Sequence, residues 1–275
     1  MSGRAFTTLL VLSTVVAGTF LLLPVVAIFV EIPLGDLFDL LGSDVARDAL
    51  VVTLKTNVLA NALIVALGTP TAYLLATRRF PGRALAITLF ELPLVLPPAV
   101  AGVGLLAAFG SLGLLGGTLD AAGLEIAFTQ VAVVMAIVFV ASPFYVRSAI
   151  AAFEGVDRTL LDAARTLGSH PARTFAIVAL PLAAGGLGAG AALAFARGIG
   201  EFGATIMFAG SLQGVTQTLS LAIYEQFDVD FDVALAMGAL LVVVSGALLL
   251  AVKLVPGWTR SAWTSPFASA RSASS

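Results

Sequence analysis

Residues Glu154–Pro181, EGVDRTLLDAARTLGSHPARTFAIVALP, form a charged segment between two strongly apolar blocks of the chain. Connections between neighbouring helices usually run to about 2–8 residues, and this one is several times longer. Its apolar positions Leu160, Leu161, Ala164 and Leu167 recur at helical spacing. A long amphipathic segment between two buried helices offers a surface that a protein in the aqueous phase can bind. Through this surface the bound protein can move the helices.

Composition places the rest of the chain in a membrane. Of the 275 residues, 59% are hydrophobic and 11% are charged, with a mean hydropathy of +1.06. Soluble domains carry about 25% charged residues, so a water-facing globule is excluded. The net charge of −2 argues against a nucleic-acid partner. The sequence contains no cysteine, which excludes disulfides and thiolate chemistry.

Six apolar segments are long enough to cross a hydrocarbon layer, which requires about 20 helical residues. They are Leu9–Val30, Val51–Ala76, Ala84–Phe109, Phe128–Ile150, Leu182–Phe208 and Val233–Val255. The first exceeds the roughly 7–15 apolar residues of a cleavable signal, so it is predicted to be a true span. We expect an all-α integral membrane fold with one transmembrane domain, residues 1–257, and a disordered polar tail, residues 258–275.

The distribution of charge predicts how the spans are oriented. With the N-terminus in the cytoplasm, the inner segments hold most of the 14 basic residues and the outer segments most of the 16 acidic residues. An excess of Lys and Arg on the cytoplasmic side is the feature that sets topology. Both termini and segment 154–181 are therefore predicted to face the cytoplasm, in a multi-pass protein of the cell membrane.

Segment 154–181 is predicted to contain two short helices. Gly168 ends the first, because glycine commonly adopts the left-handed conformation after a helix, and Pro171 starts the second. Leu180-Pro181 marks the entry into the fifth span. Periodicity alone leaves two interpretations open. The two helices can protrude and dock into a groove of another protein, or they can form an amphipathic helix that lies on the membrane surface.

A motif in this segment resembles a known family. Asp162-Ala163-Ala164 is followed after three residues by Gly168, and after nine more by Val178-x-Leu180-Pro181. This pattern is similar to the EAA signature of permease subunits of ATP-binding-cassette (ABC) importers, which has Glu in place of Asp162 and Ile in place of Val178. The resemblance implies a type I importer permease fold with cytoplasmic coupling helices. It also implies contacts to an ATPase from Asp162, Ala163, Ala164, Gly168, Leu180 and Pro181.

Two further runs narrow the resemblance. Leu92–Pro98, LPLVLPP, and Phe195–Thr205, FARGIGEFGAT, are similar to the permeases for tetrahedral oxyanions. The run at Phe195–Thr205 most resembles the molybdate group of these permeases. The similarity extends from about the second span to the sixth. It implies a molybdate permease, with tungstate and sulfate permeases of the same family as alternatives.

Arg197 and Glu201 lie four residues apart, so they are predicted to share one face of the fifth span and to pair. Ionisable groups at membrane depth usually face the interior of the bundle. Arg197 can line the anion route together with Thr205, or it can form with Glu201 a buried pair that fixes packing or a closed gate. Thr205 can equally bond to its own helix.

Prolines are predicted to loosen the third span. Pro93, Pro97 and Pro98 remove N–H donors and clash with preceding carbonyls. Freed backbone groups at membrane depth persist only inside protein or along a water-filled cavity, so Pro97 and Pro98 are candidates for a hinge or a pathway wall. Glu91, just before them, is either a gate residue or a carboxylate that reaches to the membrane surface.

The sequence lacks the groups that catalysis would need. Neither lysine, Lys55 or Lys253, follows a glycine, so the phosphate-binding pattern G-x-x-x-x-G-K-[ST] is not present. The single histidine, His170, is predicted to be a surface residue and can build neither a hydrolytic triad nor a metal site. We expect no enzyme activity, no metal site and no bound cofactor; the resemblance implies that a partner ATPase uses ATP and Mg²⁺.

The resemblance also implies an assembly. Two copies of the chain enclose the path, two ATPase subunits bind the two 154–181 segments, and an extracellular or periplasmic binding protein delivers the anion. A secondary transporter working alone is the rival from another class, and it would need ionisable groups near the midplane for ion coupling. An intramembrane enzyme is disfavoured by the lack of catalytic side chains.

Overall fold

The described part of the chain, residues 3–32 and 37–254 of a computed structural model, is helical and contains no strand. The α-helices in chain order are α1 (Gly3–Glu31), α2 (Leu37–Leu41), α3 (Asp44–Thr77), α4 (Arg83–Glu91), α5 (Pro98–Phe109), α6 (Gly116–Ala121), α7 (Gln130–Glu154), α8 (Arg158–Thr166), α9 (Pro171–Thr174), α10 (Leu180–Ile199), α11 (Gly203–Ala209), α12 (Leu219–Gln226) and α13 (Phe231–Leu254). A 3₁₀ turn, Leu92–Leu94, follows α4, and a π-helical turn, Phe175–Ala179, joins α9 to α10. The predicted all-α class is confirmed.

Five helical segments of the described chain are long and apolar enough to cross a membrane. They are Gly3–Glu31, Asp44–Thr77, Gln130–Glu154, Pro171–Ile199 and Phe231–Leu248. A sixth span results if the bent pair Arg83–Leu94 and Pro98–Phe109 is counted as one. The chain is therefore a multi-pass membrane protein with five or six spans, in agreement with the prediction.

The third predicted span, Ala84–Phe109, is not one continuous helix. Its two halves, Arg83–Leu94 and Pro98–Phe109, are bent by 110° at the break between them. Pro97 caps the second half with a ψ of 132°, and Pro98 is its first residue. Proline at the first helical position needs no N–H partner and prevents the preceding helix from continuing. The prolines break this span, where the sequence predicted a loosened one.

The fifth span begins before the predicted entry at Leu180-Pro181. One helical segment runs from Pro171 to Ile199, and α9 is its first turn instead of a separate coupling helix. Within it the Leu180 N–H donates to the Phe175 carbonyl, which is the hydrogen bond of a π turn. Such turns occur inside α-helices where the regular hydrogen bonding is interrupted. Here the π turn directly precedes Pro181, which has no N–H to donate.

The same span ends before the predicted boundary at Phe208. Helix α10 stops at Ile199, Glu201 and Phe202 are not helical, and α11 then forms a separate short helix. Gly200 caps the end of α10. Glycine is about 1 kcal/mol less favourable than alanine inside a helix, so Gly198, Gly200 and Gly203 weaken the helix at this point.

Small residues let the central helices α3, α7 and α10 pack closely. A Cβ added at Gly68 of α3 would lie 2.7 Å from the ring of Tyr145, and one at Gly190 of α10 would lie 2.9 Å from the Ser148 Cβ. Close packing of small residues is the main source of helix association in lipid. Helix α1, by contrast, buries none of its side chains within the subunit.

Some of the predictions fall outside the described residues. These are Val255 at the end of the sixth span and the polar tail, residues 258–275. Residues 33–36, in the first predicted outer loop, also lie outside them. The division into one transmembrane domain and a disordered tail therefore stays a prediction.

Candidate functional site

Helix α8 is the first of the short helices that segment 154–181 predicts. It begins after Asp157, whose Oδ1 accepts a hydrogen bond from the Thr159 N–H at 2.9 Å. Leu161 is 6% exposed and joins the core that contains Val156 and Phe153. The helix is thus started by a side-chain cap and seated on the bundle by an apolar side chain.

Gly168 ends α8 in a left-handed conformation, with a φ of 80°. Its N–H donates to the Arg165 carbonyl at 2.9 Å, and the Ser169 N–H donates to the Ala164 carbonyl at 3.0 Å. This pair of bonds is a Schellman motif, which satisfies the last carbonyls of a helix and requires a residue that tolerates positive φ. The predicted helix end at Gly168 is confirmed.

His170 is exposed and caps the next helix. Its Nδ1 accepts a hydrogen bond from the Ala172 N–H at 3.4 Å. The prediction that His170 is a surface residue of this segment is confirmed.

The outer face of α8 presents apolar side chains to solvent. Leu160 is 47% exposed and Leu167 is 88% exposed, with the exposed Ala163 between them. Asp162 and Arg165 flank this face and pair with each other at 3.1 Å. An exposed apolar patch with a polar rim marks an interaction surface. We call these five residues the α8 face.

The predicted coupling residues fall into two places. Asp162, Ala163 and Gly168 are exposed on α8 and its terminal turn, and Ala164 is half-buried beside them. The structure separates Leu180 and Pro181 from this group, because both lie on α10 beyond the π turn. Those two residues lie within the fifth span, nine and ten residues after its first residue Pro171, and not on the exposed helix.

Three aromatic rings join the bundle just beneath α8. Tyr73 of α3 lies 5.2 Å from Phe153 of α7 and 4.7 Å from Phe175 in the π turn, measured between ring centroids. Phe153 and Phe175 are 6.2 Å apart. Tilted and edge-on ring pairs of this kind add about 0.5–1.5 kcal/mol to apolar burial. The ends of α3, α7 and the fifth span are therefore held together where α8 is attached.

We expect Asp157→Ala to weaken the first turn of α8. The hydrogen bond from the Thr159 backbone lowers the pKa of Asp157 below its ordinary value of 3.8. A lowered folded-state pKa means that the stabilisation is present at neutral pH and is lost as the pH falls through that value. Hydrogen exchange at residues 158–166, corrected for intrinsic rates, should be faster in Asp157→Ala at pH 7. Asp157→Ser, which keeps a capping oxygen, is the control, and equal protection in both variants would contradict the role of the cap.

The second candidate site lies at the end of α10. The Arg197 Nη2 lies 2.6 Å from the Glu201 Oε2, and the Glu201 side chain is 1% exposed against 27% for Arg197. The pair is a salt bridge, and the Glu201 Oε2 accepts no hydrogen bond from the described residues. The predicted pair is confirmed, but the prediction that both residues share a helix is wrong because α10 ends at Ile199.

Glu201 also anchors the short helix that follows. Its Oε1 accepts a hydrogen bond from the Ala204 N–H at 2.8 Å, in the first turn of α11. One carboxylate thus ties the end of α10, through Arg197, to the start of α11. Thr205 is 0% exposed, and its hydroxyl has no hydrogen-bond partner among the described residues. The alternative in which Thr205 bonds to its own helix is therefore wrong.

The two runs that resemble oxyanion permeases meet in space. A Cβ added at Gly203 of α11 would lie 2.8 Å from the Pro98 Cβ, and one at Gly102 of α5 would lie 2.6 Å from the Ala204 carbonyl oxygen. Both glycines are needed because the helices approach closely. Pro97 and Pro98 are exposed at the edge of this contact. The break in the third span and the end of the fifth thus form one structural unit.

Sequence reasoning missed two asparagines in the second span. The Asn57 Nδ2 donates to the Phe195 carbonyl at 3.0 Å, and the Asn61 Nδ2 donates to the Ala191 carbonyl at 3.1 Å. These bonds link α3 to α10 one turn apart. Two amides at a spacing of four residues within an apolar span were the available signal. A Cβ at Gly198 would clash with the Asn57 Oδ1, so this glycine is also part of the contact.

The described residues contain no group of three or more His, Cys, Asp or Glu side chains that could hold a metal ion.

Comparison with known proteins identifies the family. Residues 64–255 match the family described as binding-protein-dependent transport system inner membrane component. The chain belongs to this family. Membership in the binding-protein-dependent transport family accounts for a membrane bundle that also carries an exposed short helix, since its members are components of larger transport systems.

Individual relatives within the binding-protein-dependent transport family carry related names. The chain is 45% identical over 244 residues to the molybdenum transport system permease protein of Mycobacterium bovis, covering 86% of this chain and 90% of that one. It is 42% identical over 183 residues to the molybdenum transport system permease protein of Escherichia coli K12, covering 66% and 80%. A probable sulfate transport system permease protein of Nephroselmis olivacea is 32% identical over 217 residues, covering 78% and 76%.

Solved structures of ABC transporters share the fold. A chain of a bacterial alginate ABC transporter superposes with a TM-score of 0.72 at 16% identity, covering 90% of this chain and 93% of that one. A chain of the MetNI methionine ABC transporter in inward facing conformations superposes with a TM-score of 0.57 at 20% identity, covering 76% and 93%. These likenesses confirm the predicted type I importer permease fold.

Proposed function

We propose that the chain is the membrane-spanning permease subunit of an ATP-driven importer for molybdate. The observation that carries this proposal is the 45% identity to a molybdenum transport permease over 86% of the chain. The intact run Gly200–Thr205, GEFGAT, agrees with it, as does the unpaired apolar surface of the α8 face. The chain itself catalyses no reaction and binds no cofactor; ATP and Mg²⁺ are used by a partner ATPase.

The α8 face is the surface on which the ATPase docks. Leu160, Ala163 and Leu167 provide the apolar contact, and the Asp162–Arg165 pair lies at its rim. Each Å² of apolar surface that docking removes from water contributes about 25 cal/mol, which makes such a contact favourable. Asp162, Ala163, Ala164 and Gly168 act within this contact. Leu180 and Pro181 act within the fifth span, just after its π turn, and this span receives the motion.

The unit formed by α5, α10 and α11 is the gate of the anion path. Arg197 and Glu201 neutralise each other at 2.6 Å, which lets an ion pair sit at membrane depth. Thr205 and the break at Pro97 and Pro98 lie in the same unit. We assign the ion pair to the closed gate and not to the anion, because the Glu201 carboxylate would repel a dianion.

The assembly contains two copies of this chain, two ATPase subunits and an external binding protein. One bundle of this size leaves little room for a hydrated oxyanion, so the path lies between two copies. The outer loops carry acidic residues, which repel a free dianion and favour delivery by a carrier. Both termini and the α8 face are on the cytoplasmic side of the cell membrane.

Sulfate is the second candidate substrate, because a probable sulfate permease is 32% identical to this chain over 217 residues. Tungstate is a third, because it has the charge and shape of molybdate. A secondary anion transporter of another class is disfavoured because Arg197 and Glu201 neutralise each other and so supply no net charge for ion coupling.

The decisive experiment is uptake by proteoliposomes that contain the chain, its ATPase and its binding protein. We expect molybdate uptake that requires ATP and the binding protein, with competition by tungstate and little competition by sulfate. Stronger competition by sulfate would assign the chain to sulfate transport. Equal uptake by the chain alone, without ATP, would overturn the importer and favour the secondary transporter.

A further inference from the structure

Helix α4 lies along α7 and has a charged residue at each end. It is the first half of the broken third span and runs from Arg83 to Glu91. Both ends pair with α7, Arg83 with Glu154 and Glu91 with Arg147. The order of partners is reversed along α7, so the two helices are antiparallel.

Arg83 connects three helices at the cytoplasmic end of the bundle. Its Nη2 donates to the Glu154 Oε1 at 2.6 Å, and its Nε donates to the Leu75 carbonyl at 2.5 Å. Leu75 is in the last turn of α3, and Glu154 is the last residue of α7. The planar guanidinium can hold both acceptors in a fixed geometry, which a lysine cannot do.

The position of Glu154 along the chain makes this contact consequential. Only Gly155, Val156 and Asp157 separate it from α8, which carries the α8 face. A displacement of α8 therefore acts directly on the end of α7, where Glu154 holds Arg83. The second pair, Glu91 with Arg147, is longer at 3.8 Å, and its Arg147 side chain is 73% exposed.

From α4 a chain of contacts leads to the gate. Helix α4 passes through the 3₁₀ turn and the 110° bend into α5. Helix α5 then meets α11 at Gly102 and Gly203, where backbones and small side chains touch directly. Between residues 83 and 109 the helical backbone is interrupted only by the short bend at residues 95–97.

We propose that Arg83 is a positioning residue that transmits the motion of the coupling segment to the broken span. When the ATPase moves α8, Glu154 pulls Arg83, α4 tilts about the bend, and α5 shifts α11. Glu91 and Arg147 keep α4 aligned on α7 during this motion. This inference rests on the proposed importer function.

The exposure of the pair distinguishes this role from a purely structural one. The Arg83 and Glu154 side chains are 31% and 48% exposed, and ion pairs at such sites contribute little to folding. Removal of the pair should therefore leave the protein folded and assembled. Coupling between two sites commonly changes the affinity at one of them by a factor of about 5–150. The substitution should therefore weaken the coupling of ATP hydrolysis to transport and leave the fold intact.

The experiment compares variants of the complete complex in proteoliposomes and measures molybdate taken up per ATP hydrolysed. We expect Arg83→Ala to lower this ratio about fivefold, at the lower end of that range, with ATPase activity and assembly retained. Arg83→Lys keeps the charge but not the double acceptor geometry, so it should recover part of the ratio. The exchange Arg83→Glu with Glu154→Arg should also recover part of it.

Arg79→Ala is the matched control. Arg79 lies in the connection between α3 and α4, four residues before Arg83, is exposed, and forms no ion pair among the described residues. It should keep the wild-type ratio. An unchanged ratio in Arg83→Ala, or an equal loss in Arg79→Ala, would overturn the inference. A wild-type complex that takes up no oxyanion with ATP would instead overturn the proposed function.

Discussion

Gly168→Asp is expected to abolish ATP-driven molybdate uptake while leaving the spans inserted. The left-handed backbone at Gly168, with a φ of 80°, costs most side chains about 1–2 kcal/mol, but Asp and Asn tolerate it better, so the charge of Asp is the larger effect. A carboxylate after the end of α8 is also unfavourable by about 0.3–1 kcal/mol, because the helix C-terminus is negative. Docking would in addition take this carboxylate out of water without a partner, which costs several kcal/mol and is enough to prevent docking.

Folding of the subunit should tolerate this substitution. A Cβ at Gly168 meets nothing within 4 Å, so no clash arises inside the bundle. The measurements are uptake in proteoliposomes and co-purification of the ATPase with the permease. Normal uptake by Gly168→Asp would show that the α8 face does not dock as we propose.

Two neutral variants separate strain from charge at this position. Gly168→Asn has the shape of Asp and tolerates the left-handed conformation, but it adds no charge. Gly168→Ala adds only the strain of a Cβ. We expect Asn to retain most uptake, Ala to be intermediate and Asp to be inactive. If Asn is as defective as Asp, the turn itself and not the charge is responsible.

Arg197→Ala is expected to be more damaging than the double variant Arg197→Ala/Glu201→Gln. The single change leaves the Glu201 carboxylate, which is 1% exposed, without its countercharge. Breaking a buried pair in this way costs about 3–5 kcal/mol. Gln at position 201 removes the charge and can still accept the hydrogen bond from the Ala204 N–H. Thermal stability and uptake should therefore both recover in the double variant.

The same pair of variants tests whether Arg197 touches the anion. If the double variant regains stability but stays inactive, Arg197 contacts molybdate directly and its assignment to the closed gate is wrong. Glu201→Gln alone is the control, because it removes the carboxylate and leaves Arg197 in place. That variant should fold, and it should admit anion more readily if the pair closes the path.

Local signals in the sequence predicted the local structure well. The end of α8 at Gly168 followed from a glycine after a periodic run, since only the backbone next to it matters. The break at Pro97 and Pro98 was predicted at the correct place, although its size was not. A proline predicts that a helix ends, because its ring cannot continue the hydrogen-bond pattern. The 110° angle between the two halves of the third span depends instead on what the second half packs against.

Contacts between distant parts of the chain were less accessible. The cap that Glu201 makes on α11 was missed because the fifth span was expected to continue to Phe208. Glu201 would then have been inside a continuous helix, where no helix begins that it could cap. The approach of Gly203 to Pro98 depends on tertiary packing that helical periodicity does not report. The carbonyl of Phe195 that accepts a hydrogen bond from Asn57 could likewise not be predicted from the sequence of α3 alone.

Asn57 and Asn61 have a consequence for the biosynthesis of the protein. Their backbone partners on α10 follow 138 and 130 residues later in the chain. At about 5–20 residues per second, a ribosome needs about 7–28 s to make the intervening stretch. During that time the second span carries two amides that lipid cannot satisfy. The nascent chain must therefore keep this span beside the insertion machinery, or beside water, until the fifth span has been made.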